Sequence, residues 1–231
     1  MRTKIEHILL TPGVENEAHI PFIPDAEVQI DANRIVYAGP ARNAPAFVAE
    51  QTINGKGALC MPGLVNLHTH TPMTLVRGIG GQLNLSDWLN KAIFPMEKHL
   101  DGPLVRAGTD LGILEMLRFG TTSFNDMYFY LDDIASSVRD SGMRALLTHG
   151  VVDFDGLCKD LDEGIVMADR WHHAADDRIR VALGPHSEGA TTEPLMRKVA
   201  RVAKERDLTI HVHVSETKAD FDGCKQRWGL T

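Results

Sequence analysis

From residue 58 onward, short apolar runs alternate with segments in which apolar residues recur every three or four positions. Short runs are typical of buried parallel strands, and the periodic segments are typical of helices that cover a sheet. The predicted strands are 64–67, 121–124, 145–148, 179–183 and 209–214. The predicted helices are 104–119, 132–140, 161–175 and 193–206, the last with Pro194 in its first turn. This alternation predicts an α/β fold with a parallel sheet and right-handed crossovers.

Residues 1–57 follow a different pattern and predict a separate, small β module. In the segment EVQIDANRIVYAG, Val28 and Ile30 alternate with polar residues before a turn at 31–33, and Ile35 and Tyr37 alternate after it. Two alternating runs around a short polar turn predict a β-hairpin. We therefore expect one domain over residues 1–57 and the parallel α/β domain over residues 58–231.

Polar residues recur where the predicted strands end, and the middle strands contribute Asn125, Asp126, His149 and His186. In an eight-stranded (β/α)8 barrel, functional residues collect at the carboxyl ends of the strands. A doubly wound open sheet would instead gather them at one crevice. The pattern favours the barrel, of which five strands are recognisable. Because a full barrel takes about 250 residues, we expect the chain to be part of a longer polypeptide.

Histidines at the first and fifth strands are candidate metal ligands. His68 and His70 are two positions apart, so their side chains share one face of a strand. Alone, this pair is equally compatible with solvated rings at a strand end. His213 near the end of the fifth strand completes the three imidazoles that a catalytic zinc-type site needs, and Glu216 follows. His211, one layer deeper, is expected to be packed or hydrogen bonded.

Composition narrows the function classes. Lys and Arg number 24 against 31 Asp and Glu, giving a net charge of −7, which disfavours nucleic acid as a partner. The three cysteines, Cys60, Cys158 and Cys224, are few and far apart, so a disulfide framework is not expected. The N-terminal apolar stretch is too short for a signal peptide, and no segment has the length of a membrane span. These features predict a cytoplasmic protein and leave homo-oligomerisation open.

Five segments carry a resemblance to a known family. In chain order they are MPGLVNLHTHTPM, LRFGTTSFNDMYFY, SGMRALLTHG, LGPHSEGATT and HVHVSET. Together they resemble the amidohydrolase superfamily, and within it the 5-methylthioadenosine/S-adenosylhomocysteine deaminases with their triazine-hydrolase and guanine-deaminase relatives. The resemblance implies a (β/α)8 barrel flanked by a β-sandwich, with one divalent metal ion, expected to be zinc. It also implies hydrolytic deamination of an adenine nucleoside.

The resemblance assigns roles residue by residue. It implies that His68, His70 and His213 are metal ligands. It implies that Glu216 is the catalytic acid that protonates the purine ring nitrogen. His186, in the segment GPHS, matches a histidine that faces the substrate.

Two further positions resemble substrate-binding residues of the family. Glu97 matches an acid that holds ribose hydroxyls, and Trp88 matches an aromatic lid. Arg144, in the segment GMRALL at a strand start, is either a carboxylate clamp for the substrate or a buried or structural arginine.

The family also uses a histidine after the sixth strand and an aspartate after the eighth, which have no counterpart in this sequence. We therefore expect residues 1–231 alone to be inactive. The alternatives are a triazine- or guanine-type amidohydrolase, and a non-catalytic metal-binding half-barrel.

Overall fold

Five strands of the N-terminal segment form one mixed sheet in the computed structural model, which describes residues 1–13, 20–153 and 159–229. They are β1 (Arg2–Leu10), β2 (Ile23–Asp31), β3 (Arg34–Pro40), β4 (Gln51–Asn54) and β5 (Leu59–Cys60). The order is β3-β2-β1-β4, and β5 pairs with β1. The predicted hairpin is confirmed, since β2 and β3 are antiparallel and Ala32 in their turn has a left-handed φ of 52°.

The chain divides into two units, Met1–Gly63 and Leu64–Thr231, somewhat later than the boundary we predicted after residue 57. The cause is β5, which pairs in parallel with β1 and so belongs to the sheet of the first unit. The core of this unit consists of the buried side chains of Ile8, Leu10, Ala26 and Val28.

The second unit contains a five-stranded, all-parallel sheet that forms half of a barrel. Its strands are β6 (Leu64–Thr69), β7 (Thr121–Tyr128), β8 (Arg144–Val151), β9 (Ile179–Pro185) and β10 (Thr209–Ile210). Their spatial order follows the chain, β6-β7-β8-β9-β10. All five predicted strands are present, and their carboxyl ends lie at one edge of the sheet.

Helices connect these strands. They are α1 (Leu85–Trp88), α2 (Phe94–Glu97), α3 (Gly102–Arg118), α4 (Leu131–Ser141), α5 (Lys159–Trp171), α6 (Ala174–Asp177), α7 (Glu193–Glu205) and α8 (Lys218–Trp228), with a 3-10 turn over Thr71–Val76. The four predicted helices correspond to α3, α4, α5 and α7. The predicted helix 161–175 is interrupted near His173, whose φ of 67° is left-handed. No helix in the described ranges is long and apolar enough to span a membrane.

The fifth strand is shorter than predicted. We expected residues 209–214, but β10 covers only Thr209–Ile210, and His213 contacts the neighbouring segment through an isolated bridge to Ser187. The neighbouring strand β9 ends at Pro185, which has no N–H to continue a hydrogen-bond ladder. His213 is therefore carried by an irregular segment just beyond the sheet.

Helix packing holds the sheet in place. In α7, Leu195, Val199 and Ala203 recur every four residues and are buried against Val151 and Leu183 of the sheet. Burial of each large aliphatic side chain contributes about 1.5–3 kcal/mol. The carboxyl ends of β8 and β9 are therefore packed against α7 on the helical side.

Candidate metal centre

Three histidine rings meet at the carboxyl end of the parallel sheet. His68 is in β6, His70 follows directly after it, and His213 follows β10. The Nε2 atoms of His68 and His70 are 3.3 Å apart. The Nε2 atom of His213 lies 3.2 Å from that of His68 and 3.4 Å from that of His70. We refer to these three residues as the histidine triad.

The outward nitrogens of two triad rings are held by backbone carbonyls. His70 Nδ1 donates to the Met127 carbonyl oxygen at 2.6 Å, and His213 Nδ1 donates to the His186 carbonyl oxygen at 2.8 Å. A carbonyl can only accept, so both Nδ1 atoms carry the ring hydrogen. The Nε2 atoms of His70 and His213 therefore direct lone pairs towards the centre of the triad.

The outward nitrogen of His68 contacts another ring. His68 Nδ1 lies 2.9 Å from His211 Nε2, and His211 Nδ1 lies 3.0 Å from the hydroxyl of the buried Thr148. Desolvation of the ring and the other nearby histidines lower the pKa of His68 to about 4. His68 is therefore neutral at pH 7, and its Nε2 can act as a ligand.

The triad fits a divalent cation. Nitrogens about 2.0–2.1 Å from a tetrahedral zinc ion lie roughly 3.3–3.4 Å from one another. The triad shows separations of 3.2–3.4 Å. Converging lone pairs repel one another unless a cation lies between them. Three imidazoles with a position left open are the donor set of a catalytic site.

A buried aspartate fixes the segment that carries His70. Asp126 Oδ1 accepts hydrogen bonds from the Thr69 hydroxyl at 2.6 Å, the Thr71 backbone N–H at 2.6 Å and the Thr71 hydroxyl at 2.8 Å. These donors flank His70 on both sides, while the next residue, Met127, accepts from the His70 ring. Burial raises the pKa of Asp126, and the hydrogen bonds from Thr69 and Thr71 oppose that rise.

His186 lies beside the triad. Its ring centroid is 4.6 Å from that of His213, and its Nδ1 is buried without a hydrogen-bond partner among the described residues. Burial of the ring, followed by the proximity of His213 and His70, lowers the pKa of His186 to about 4. A neutral imidazole at this place can donate or accept a hydrogen bond.

Two predicted acids occupy different surroundings. Glu216 is exposed in the segment between β10 and α8, three residues after His213. Glu97, at the end of α2, accepts a hydrogen bond of 2.8 Å from the Tyr128 hydroxyl. The Tyr128 ring centroid is 6.5 Å from that of His70, so Glu97 is linked to the triad through one aromatic residue.

Trp88 and Arg144 do not contact the triad. Trp88 Nε1 donates to the Ile79 carbonyl at 2.8 Å. Arg144 is exposed and begins β8, opposite Ser123, whereas His70 binds the Met127 carbonyl further along β7. Four residues along a strand correspond to about 13 Å. Arg144 is thus at the opposite end of the sheet, and neither a substrate clamp nor a buried arginine is supported there.

A second polar group lies apart from the triad. Glu97, Phe129, His149 and Glu163 are among the residues that line a cavity of about 830 Å³. The ligand atoms of His149, Asp160 and Glu163 lie within 4.8 Å of one another. Burial lowers the pKa of His149, while Glu163 and Asp160 oppose this shift. At pH 7 the 3.5 Å contact of His149 with Glu163 is therefore not an ion pair, and we assign no ion to this group.

Several residues that shape the triad have no predicted role. The sequence predicts Asp126 only as a polar residue at a strand end, and it predicts nothing for Thr69, Thr71 and Thr148. The signals were present, since threonines flank His70 and Asp126 alternates with the aromatic residues Phe124 and Tyr128 along its strand. A buried carboxylate needs hydrogen-bond donors around it. The two threonines of the segment THT supply these donors to Asp126.

Comparison with curated proteins gives long matches. The model of the amidohydrolase family matches residues 59–228. The 5'-deoxyadenosine deaminase of Methanothermobacter thermautotrophicus is 44% identical over 88% of this chain and 48% of its own length. The 5-methylthioadenosine/S-adenosylhomocysteine deaminase of Moorella thermoacetica is 38% identical over 91% of this chain and 50% of its own length. The chain spans about half the length of these curated relatives.

Solved structures show the same fold. An adenosine deaminase from Xanthomonas campestris with bound zinc has a TM-score of 0.87 at 31% identity, covering 99% of this chain and 52% of that one. The atrazine chlorohydrolase of Arthrobacter aurescens TC1, complexed with zinc, has a TM-score of 0.85 at 21% identity, covering 99% and 56%. The second likeness concerns the fold alone. With its parallel half-barrel and the long matches to curated relatives, the chain belongs to the amidohydrolase family.

Proposed function

We propose that the protein is a zinc-dependent hydrolase that deaminates an adenine nucleoside of the 5'-deoxyadenosine, methylthioadenosine or S-adenosylhomocysteine type. The observation that carries this proposal is the convergence of the Nε2 atoms of His68, His70 and His213. These three rings would hold the ion. When bound, the ion supplies Lewis acidity that makes water available as a nucleophile at neutral pH. The deaminase relatives at 38–44% identity support the substrate class.

In the net reaction, water adds to the amino-bearing carbon of the adenine ring and ammonia leaves, which gives the hypoxanthine nucleoside. Addition builds negative charge on the adjacent ring nitrogen, where a positioned acid can deliver a proton. Glu216 suits this role because its carboxyl group follows the ligand His213 closely and has no hydrogen-bond partner among the described residues. The resulting carboxylate can then take the remaining proton of the added water and pass it to the departing amine, so that ammonia leaves and the oxygen stays on the ring carbon as a carbonyl.

Neighbouring residues would orient the nucleoside. The neutral ring of His186 lies against His213 and can hydrogen bond to a polar atom of the base. We propose Glu97, held by the Tyr128 hydroxyl, as the acceptor for ribose hydroxyls. Trp88, anchored to the Ile79 carbonyl, would cover the nucleoside as an apolar lid.

The test measures ammonia release by the purified, zinc-loaded, natively expressed protein with 5'-deoxyadenosine, methylthioadenosine, guanine and a chlorotriazine as substrates. We expect turnover of the adenine nucleosides. His213→Ala should remove both bound zinc and activity. Glu216→Gln should keep zinc and lower kcat by about 10²- to 10⁴-fold. Glu205→Gln, which changes an exposed acid at the end of α7, is the matched control.

The outcomes separate the alternatives. Preference for guanine or the chlorotriazine would replace the nucleoside substrate with another one of the same superfamily. Stoichiometric zinc without turnover of any substrate would favour a metal-binding half-barrel. For the 231-residue chain alone we propose no turnover, because five strands of an open barrel leave the substrate space unenclosed.

A further inference from the structure

His68 differs from the other two triad residues in the partner of its outward nitrogen. His70 and His213 donate to backbone carbonyls, which fix the ring hydrogen on Nδ1 without further help. His68 Nδ1 instead meets a ring nitrogen, His211 Nε2, at 2.9 Å. An imidazole nitrogen can donate or accept, so this contact alone leaves the direction of the hydrogen bond open.

The two directions have opposite consequences for the triad. If His211 Nε2 accepts, His68 carries its hydrogen on Nδ1 and its Nε2 lone pair faces His70 and His213. If His211 Nε2 donates, the hydrogen of neutral His68 lies on Nε2. It would then point between two nitrogens only 3.3 Å and 3.2 Å away. That hydrogen would occupy the space that a cation needs. The tautomer of His211 therefore determines whether three lone pairs or two are available.

The metal centre proposed above requires the first direction, and Thr148 can accept the hydrogen bond that follows from it. Its hydroxyl oxygen lies 3.0 Å from His211 Nδ1, and the residue is fully buried. Its methyl group fills the space above Gly184, where an added Cβ would lie 2.4 Å from Thr148 Cγ2. With the methyl group fixed on that side, the hydroxyl faces His211. In that direction His211 carries its hydrogen on Nδ1 and donates it to the Thr148 hydroxyl oxygen, while His211 Nε2 accepts from His68.

We propose that His211 is a positioning residue of the metal centre. Together with Thr148 it holds His68 in the Nδ1–H tautomer and fixes the plane of the His68 ring. This inference rests on the metal centre proposed above and assigns to His211 a role through His68, without contact to the ion. The hydrogen bonds run from His68 to His211 and from His211 to Thr148.

Substitutions of His211 and Thr148 that remove these hydrogen bonds separately or together test whether they hold the His68 ring. His211→Gln keeps an acceptor for His68, and His211→Asn keeps only the donor for Thr148. His211→Leu removes both. Thr148→Val removes the hydroxyl at nearly constant volume, and Thr148→Ser restores it.

The readouts are zinc affinity, measured by competition with a chromophoric chelator, and the ¹⁵N shifts of the His68 ring in the zinc-loaded protein. We expect a fall in affinity of about 10- to 100-fold for His211→Leu and His211→Asn, as is typical for loss of an outer hydrogen-bond partner. His211→Gln and Thr148→Ser should stay near the wild type, and Thr148→Val should fall in between. In the wild type, Nδ1 of His68 should be pyrrole-like and Nε2 pyridine-like.

The controls separate this inference from the proposed function. His99→Leu changes an exposed histidine outside the triad and should leave zinc affinity unchanged. A wild type that binds no zinc would reject the metal centre itself. Zinc binding that is equally tight in His211→Leu and the wild type would overturn the role of His211 alone. If His211→Leu does not fold, as judged by circular dichroism, the comparison of Thr148→Val with Thr148→Ser decides.

Discussion

Each ring of the histidine triad is defined by two nitrogens with different partners. The inward Nε2 atoms lie 3.2–3.4 Å apart, and the outward Nδ1 atoms are held by Met127, His186 and His211. The spacing of His68 and His70 predicts that both rings share one face, but it does not predict how each ring is rotated. That rotation depends on the Met127 carbonyl of β7, the His186 carbonyl just after β9 and the His211 ring just after β10, which are distant in sequence.

Asp126 gives a test at the scale of one side chain. In Asp126→Ala the two threonine hydroxyls can turn to other acceptors, since Thr69 also bonds the Asn125 carbonyl and Thr71 also bonds Thr69. The buried Thr71 N–H cannot, and an unsatisfied buried donor costs about 1–3 kcal/mol. We expect the free energy of unfolding in urea to fall by that amount.

Asp126→Asn is the matched variant for this prediction. Its Oδ1 still accepts from Thr71, and it removes the ionisation that burial disfavours at this site. The loss of stability should be smaller than in Asp126→Ala. Equal losses in the two variants would show that the charge of Asp126, and not its hydrogen bonds, supports the segment around His70.

At the scale of single residues, the sequence predicts the positions of the triad histidines but not the surroundings of Arg144, for a physical reason. His68, His70 and His213 lie together because strand ends in a parallel sheet converge. The segment GMRALL places Arg144 at a strand start but left its role open, and the side chain is exposed at the other end of the sheet from the triad. A motif gives the residue type, whereas the strand direction decides which end the side chain reaches.

Among the elements, strands and helices were predictable because their apolar periodicities differ. Residues 64–67, 121–124, 145–148 and 179–183 all lie within strands of the parallel sheet. The fifth strand was predicted too long because its end is set by Pro185 of the neighbouring strand β9, which has no N–H to continue the hydrogen-bond ladder. The 3-10 turn over Thr71–Val76 was also missed, since it depends on packing against α3.

Helix α3 approaches that turn through glycine. A Cβ added at Gly108 would lie 2.5 Å from the Pro72 carbonyl oxygen and 3.0 Å from Leu75 Cγ. Although alanine favours an isolated helix by about 1 kcal/mol over glycine, we expect Gly108→Ala to destabilise the protein by about 1–3 kcal/mol through overpacking. Thermal and urea unfolding measure the change.

Gly223 in α8 is the matched control for this prediction. The nearest atom to a Cβ at this position is Arg227 Nη2 at 4.0 Å, so space is available. Gly223→Ala should therefore leave stability unchanged or raise it by up to about 1 kcal/mol. If both alanine substitutions stabilise the protein, the contact of α3 with the Thr71–Val76 turn has room for a methyl group, and the prediction is wrong.

For the whole molecule, the outer strands of the parallel sheet carry exposed apolar side chains. Strand β6 has a neighbour on one side only among the described residues, and its Leu64, Val65 and Leu67 are 51%, 57% and 70% exposed. Unpaired edges with apolar side chains favour association with another strand. The five strands could be predicted from the sequence. The exposure of the β6 side chains could not, because it depends on whether another strand pairs with the free edge of β6.

We expect the 231-residue chain to self-associate through this edge. Leu67→Lys should shift sedimentation velocity profiles towards the monomer, because a charged side chain on an edge strand opposes pairing. Val48→Lys changes a side chain that is 79% exposed in the N-terminal unit and is not in a strand, so it should have no such effect. A wild type that remains monomeric as its concentration rises would contradict this expectation.

The distance in sequence between the triad residues has one more consequence. His213 is 145 positions from His68 and 143 from His70, and the two sets stand on opposite outer strands of the parallel sheet. An ion held by all three would act as a non-covalent cross-link that closes a loop containing the whole sheet. Because an unfolded chain cannot hold the ion in this way, the binding free energy would add to the cohesion of every strand between them.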